Sequence, residues 1–131
     1  MNYTRITESE LENILGQFNR GYDGVISRID IQYEKNERWP QIVLSIEVKD
    51  KEAVDGWSSL VLSLNQVKRL RLLEGKSSYR VLSDGLIIKF LDDSWALGVD
   101  EDQEDADNID EFMESPFGFI AETIDWKVQN L

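Results

Sequence analysis

The sequence predicts an α+β domain, with one N-terminal helix packed on a mostly antiparallel, meander-like sheet of about seven strands. Three observations carry that expectation. Apolar residues follow a 3.6-residue period near the N-terminus, they follow a period of two from residue 25 onward, and every connection is too short for a helical crossover between parallel strands. At 131 residues, 41% of them hydrophobic, the chain is expected to form a single domain over 1–131 with its own core.

The helix is expected over residues 7 to about 19, because Leu11, Ile14, Leu15 and Phe18 fall at i, i+3, i+4 and i+7. Thr7 and Glu10 have the spacing of a capping box, and Ile6 and Leu11 that of a hydrophobic staple. Gly21 and the Asp23-Gly24 pair then turn the chain. The next run places Val25, Ser27, Ile29, Ile31 and Tyr33 on one strand face, with Arg28, Asp30 and Gln32 on the other. After EKNERWP, Ile42, Leu44, Ile46 and Val48 alternate with Ser45, Glu47 and Lys49, and an antiparallel hairpin with the preceding strand follows. Past the charged loop DKEAVDG, Leu60, Leu62 and Leu64 alternate, and Leu70 and Leu72 resume beyond a break near Asn65-Gln66. Two short strands, one strongly bent strand, or a helix through Val67 to Leu73 all fit that run. SYRVL and LIIKFL flank Ser83-Asp84-Gly85, where an Asp-Gly between strand-like runs predicts a tight hairpin. SWALGV, residues 94–99, and FGFIAETIDWKV, residues 117–128, complete the sheet.

Composition narrows function. Without cysteine there is neither a disulfide framework nor a thiolate metal site, and without histidine the commonest general base and neutral metal ligand are missing. The N-terminus has no leader-like pattern and no apolar run approaches the length of a membrane span, so a cytoplasmic protein is expected. Asp92-Asp93, Asp84 and Asp125 are the available carboxylate candidates for catalysis, but no nucleophile–base pair or phosphate loop accompanies them. The expectation is a non-enzymatic protein with no catalytic residues and no cofactor.

The net charge of −12 is unevenly placed. Residues 1–91 hold 13 basic and 13 acidic side chains, whereas residues 92–131 hold 13 acids and Lys127 alone. Nine of those acids, Asp100, Glu101, Asp102, Glu104, Asp105, Asp107, Asp110, Glu111 and Glu114, fall within 15 residues. One reading is a cation loop, since Asp100, Asp102, Glu104, Asn108 and Glu111 match the oxygen-ligand positions 1, 3, 5, 9 and 12 of an EF-hand. That loop needs glycine at its sixth position and an apolar residue at its eighth, where this chain has Asp105 and Asp107. A second reading is local structure: residues 100–107 form a mobile, solvated loop, Asn108 caps a helical turn with Glu111 at its third position, and Ile109, Phe112 and Met113 clip that turn to the body before Pro116 ends it. A third is docking, because concentrated like charge costs self-repulsion and becomes useful when a basic partner meets it.

Lys68, Arg69, Arg71, Lys76 and Arg80 form the one basic cluster, expected to pair with the acidic segment or face solvent rather than bind nucleic acid. Trp57, Trp95 and Trp126 are expected in the core or half-buried, and Trp39, beside Pro40 in a polar loop, is expected to be exposed and to serve as a partner anchor.

The order of ELENILGQF, a Tyr22-Asp23-Gly24 turn opening VISRIDIQY, IVLSIEV, a Trp57 strand leading to LRLLE, and FIAETIDWKV resembles that of small bacterial α+β domains that include polymorphic-toxin immunity proteins. The resemblance spans most of the chain, rests on patterning, and implies a binding protein without catalysis. The expected function is therefore capture of a basic protein through the acidic surface centred on residues 100–114 and Trp39, an immunity-like inhibitor of a basic toxin or nuclease being the sharpest form. Hard-cation binding through residues 100–111, and an acidic loop that only aids solubility, are the alternatives.

Overall fold

Ile42, Leu44, Ile46 and Val48 are each fully buried, and the strand that carries them, Gln41–Lys49, is the third of eight in one antiparallel sheet. The computed structural model describes residues 2–73 and 80–130. In chain order the strands are β1 (Thr4–Arg5), β2 (Gly24–Gln32), β3 (Gln41–Lys49), β4 (Trp57–Leu72), β5 (Val81–Leu82), β6 (Ile87–Leu91), β7 (Ser94–Gly98) and β8 (Phe117–Gln129), with helices α1 (Glu8–Gln17) and α2 (Ile109–Phe112). Their order across the sheet is β5-β2-β3-β4-β8-β7-β6, with β1 pairing beside β8, and the sheet curls into a half-barrel. The expected antiparallel sheet with helices is present, but it is a meander only in pieces: β2-β3-β4 and β6-β7-β8 are joined by the long β4–β8 ladder, from Ser59↔Gln129 to Leu72↔Phe117.

Several local expectations change. Thr7 is the N-cap of α1, yet its side chain makes no capping bond, and its hydroxyl lies 3.2 Å from that of Ser9. In β2 the register shifts between Ile26 and Arg28, so that Ile26 faces Ile46 while Ile29 faces Leu44. This bulge at Ser27, whose hydroxyl donates to the Ser45 carbonyl, puts Ile26 rather than Val25 in the core. Of the alternatives for residues 57–72, the one strongly bent strand is the one present: Gln66 takes a left-handed backbone (φ 54°) and the register shifts between Val67 and Arg69, which bends it.

The largest correction concerns Asp84-Gly85. The strand before it, β5, pairs with β2, and the strand after it, β6, lies at the opposite end of the sheet order. Ser78 and Tyr79 of the SYRVL segment, and Lys76, lie outside the described residues. No hairpin forms because this turn is tied to the Asn19–Gly21 helical turn: the Leu86 amide donates to the Arg20 carbonyl, the Asp23 amide donates to the Leu82 carbonyl, and Leu82 and Leu86 are buried. At Gly85 (φ 78°) a Cβ would stand 2.5 Å from the Arg20 oxygen, so the glycine serves close approach rather than strand reversal. The tight hairpin is β6–β7, where Leu91 pairs with Ser94 across Asp92 (φ 50°) and Asp93 (φ 61°), both of the sign that a type I′ turn needs.

Two apolar clusters result. The larger joins the inner faces of β2, β3, β4, β7 and β8 to Ile6, Ile14, Leu15 and Phe18, with the Phe18 ring edge-on to Trp126. The smaller lies on the other face of β6-β7-β8 and consists of Ile87, Ala96 and Ile120 covered by Ala106, Phe112 and Met113. Strand β7 is therefore buried on both faces, with Trp95 and Leu97 in one cluster and Ala96 in the other. What covers its second face is the acidic segment.

Candidate functional site: the acidic cap

Residues 100–116 form an ordered cap rather than the mobile loop expected for 100–107. A 3₁₀ turn occupies Glu101–Asp105, α2 follows, and the apolar residues between the acids point down: Ala106, Phe112 and Met113 are buried and Ile109 packs beside them. Eight of the nine carboxylates, all but Asp100, are exposed on the opposite side. The segment is amphipathic over irregular spacing, so charge and burial coexist in one short stretch.

Gln103 is the peg, and the sequence reading passed over it. Its side chain is 2% exposed; the amide nitrogen donates to the carbonyls of Phe112 (3.2 Å) and Phe117 (2.8 Å), and its oxygen accepts from the Asp100 amide (2.9 Å). The Asp100 carboxylate accepts in return from the Gln103 backbone, completing a capping box, and also accepts from the Ser115 hydroxyl (2.5 Å). Room for the peg comes from Gly98 and its register partner Gly118: a Cβ on Gly98 would lie 2.0 Å from Gln103 Oε1, and one on Gly118 would lie 3.2 Å from Nε2. Asp-x-x-Gln at 100–103 was the available signal, obscured by the carboxylates around it.

Other side chains pin the cap from below and beside. Lys89 on β6 donates to the carbonyls of Glu104 (2.8 Å) and Ala106 (2.6 Å), placing a cation at the C-terminal end of the 3₁₀ turn. Asn108 accepts from the Glu111 amide as the expected N-cap, the Asp92 carboxylate accepts from the Ile109 amide, and the Glu111 carboxylate accepts from the Asp107 amide. On β4, Arg69 pairs with Asp110 at 2.8 Å and Arg71 donates to the carbonyls of Met113 and Glu114. Part of the basic cluster thus joins the acidic segment, as expected.

The five cation-ligand candidates do different work. Asp100, Asn108 and Glu111 hold backbone amides, Asp102 and Glu104 stand exposed, and among the described residues no three acidic side chains converge as a metal cage requires. Between the 3₁₀ turn and α2 runs a groove of about 660 Å³, bordered by Asp102, Asp105, Glu111 and Glu114 over a floor that includes Gln103 and Ala106, with no basic residue lining it among the described residues. Trp39 lies between β2 and β3, half-buried rather than exposed as expected, with the Arg38 guanidinium 5.0 Å from its ring. Of the catalytic candidates, Asp125 is paired with Arg5, Asp92 caps α2, and Asp93 and Asp84 sit in exposed turns.

Comparison with protein-family models, with curated proteins and with solved structures gives no match for the chain. Among the described residues no helix is long and apolar enough to cross a membrane.

Proposed function

We propose that the protein is a non-enzymatic binding domain that captures a basic protein through its acidic cap. One observation carries this reading: eight exposed carboxylates stand on a pinned scaffold, and among the described residues only one of them, Asp110, is in an ion pair. Charges on a mobile loop lose conformational freedom when a partner orders them, whereas charges on an anchored cap have already lost it in folding. Such a surface accelerates encounter with a cationic partner and rejects anionic ones. An immunity-like inhibitor of a basic toxin or nuclease is the form of this activity that also accords with the patterning of the chain, since active sites that bind nucleic acid are basic and an acidic cap competes for them.

The test reverses Asp102, Glu104, Asp105 and Asp107 together to lysine, because all four are exposed and among the described residues none of these side chains holds the cap in place. Immobilised wild-type protein and variant are exposed to the same extract, and retained proteins are identified by mass spectrometry. Retention of a basic protein by the wild type alone, released by added salt, supports the reading. An identical set of retained proteins on both baits contradicts it.

A further inference from the structure

At the far end of the β4–β8 ladder from the cap lies a cleft of about 670 Å³ that the acidic surface does not involve. Its apolar walls include Trp57, Trp126 and Val128, Asp50 is buried in its lining, and Glu52 and Asp55 line it as exposed side chains. The size falls within the range of pockets that hold small ligands. Asp50 is 5% exposed and accepts hydrogen bonds from the Ser58 hydroxyl, the Glu52 amide and the Gln17 side chain. Burial works against its charge, but those three donors more than offset it and leave its pKa below the ordinary aspartate value, so the carboxylate is ionised at neutral pH. Trp57 is 37% exposed at the start of β4, more than its strand position predicts, and beside it Val54 at the tip of the 50–56 loop is fully exposed. The basic residue lining the cleft, Lys127, has its ammonium 4.5 Å from the centre of the Tyr3 ring.

We propose that this cleft binds an organic cation, an ammonium or guanidinium group carried on an apolar body. Among the described residues three carboxylates line the cleft against one lysine, which sets the sign of the ligand, and two indole rings supply both apolar area and a π face that attracts cations. The protein already makes that contact on itself, Arg38 over Trp39 and Lys127 over Tyr3. A basic body of this shape fits a walled cleft in a way that a bare metal ion does not, because Asp50 is already held by three donors and no three acidic side chains form a metal-holding group among the described residues.

The test is titration calorimetry with three probes of one shape and different charge: phenethylammonium, 2-phenylethanol and 3-phenylpropionate. Saturable binding of the ammonium, with the alcohol weaker by about tenfold or more and no binding of the acid, is the expected result. Trp57→Ala should weaken the ammonium by about tenfold, and the Glu52→Gln/Asp55→Asn variant several-fold, each checked for a native circular dichroism spectrum. Equal binding of alcohol and ammonium, or no saturation by about 10 mM, overturns the proposal. Should Trp57→Ala fail to fold, the amide double variant decides: unchanged affinity there also overturns it. Because the cap lies at the other end of the ladder, its lysine-reversed variant should bind phenethylammonium as the wild type does, which separates failure here from failure of the docking surface.

Discussion

Strands β3 and β4 and the acidic cap both close a hydrophobic core, but by opposite means. In β3 every second residue is buried and the alternation alone assigns each side chain to a face. In the cap the buried residues, Gln103, Ala106, Phe112 and Met113, follow no single period, and one of them is a polar side chain whose hydrogen bonds replace apolar contact. Regular elements can therefore be read from hydrophobic pattern, while a short irregular cover depends on individual pegs and the glycines that make room for them.

If the cap is as integral to the fold as the central strands, truncations in the two regions should cost alike. Phe112→Ala, at a fully buried ring of the smaller cluster, is expected to destabilise by about 3–5 kcal/mol, and Leu44→Ala in β3 by about 2–5 kcal/mol, both by chemical denaturation. A loss below about 1 kcal/mol for Phe112→Ala would show that the cap contributes little to the fold. Next in size is Gly98→Ala, which drives a methyl group into Gln103 and leaves the Phe112 and Phe117 carbonyls without their donor, for about 1–3 kcal/mol. In a Gln103→Ala background the same substitution should cost much less, a coupling that a double-mutant cycle measures directly.

Acid separates the sheet end from the cap end in another way. Asp50 has a lowered folded pKa, so its contribution to stability is present above its unfolded pKa, near 3.9, and is lost as pH falls through the folded value. Asp50→Asn should therefore lower stability at pH 7 and flatten the pH dependence below about pH 4, as followed by thermal melts across that range. The smallest effect belongs to the β6–β7 turn: Asp93→Gly relieves a left-handed aspartate and should stabilise by roughly 0.5 kcal/mol.

The same contrast explains what could be read in the sequence. Strand β3, the span of α1, and the Asn108 turn with its Ile109, Phe112 and Met113 underside follow from local spacing that the tertiary structure leaves intact. The β2 face was misassigned because a bulge at Ser27 changes the phase of the alternation, and both Val25 and Ile26 are apolar enough to fill the inward position. The Asp84-Gly85 pair carries the composition of a hairpin, but the next residue, Leu86, donates its amide to the Arg20 carbonyl, a contact 66 residues away that no window of sequence contains. Asp92-Asp93 makes the real hairpin with less favoured residues, because β6 and β7 are held together by burial on both sides. Gln103 was hidden by composition: among so many carboxylates, the one neutral side chain that decides the conformation does not stand out.

Backbone ¹⁵N relaxation over residues 100–116 tests most directly whether the carboxylates are presented on a fixed scaffold. The anchoring of Gln103, Lys89 and Phe112 predicts order parameters near 0.85 through the segment, level with those of β3. Values below about 0.6 across Glu101–Asp107, with β3 remaining rigid, would mean a solvated loop and would contradict the pinned cap on which the docking function rests.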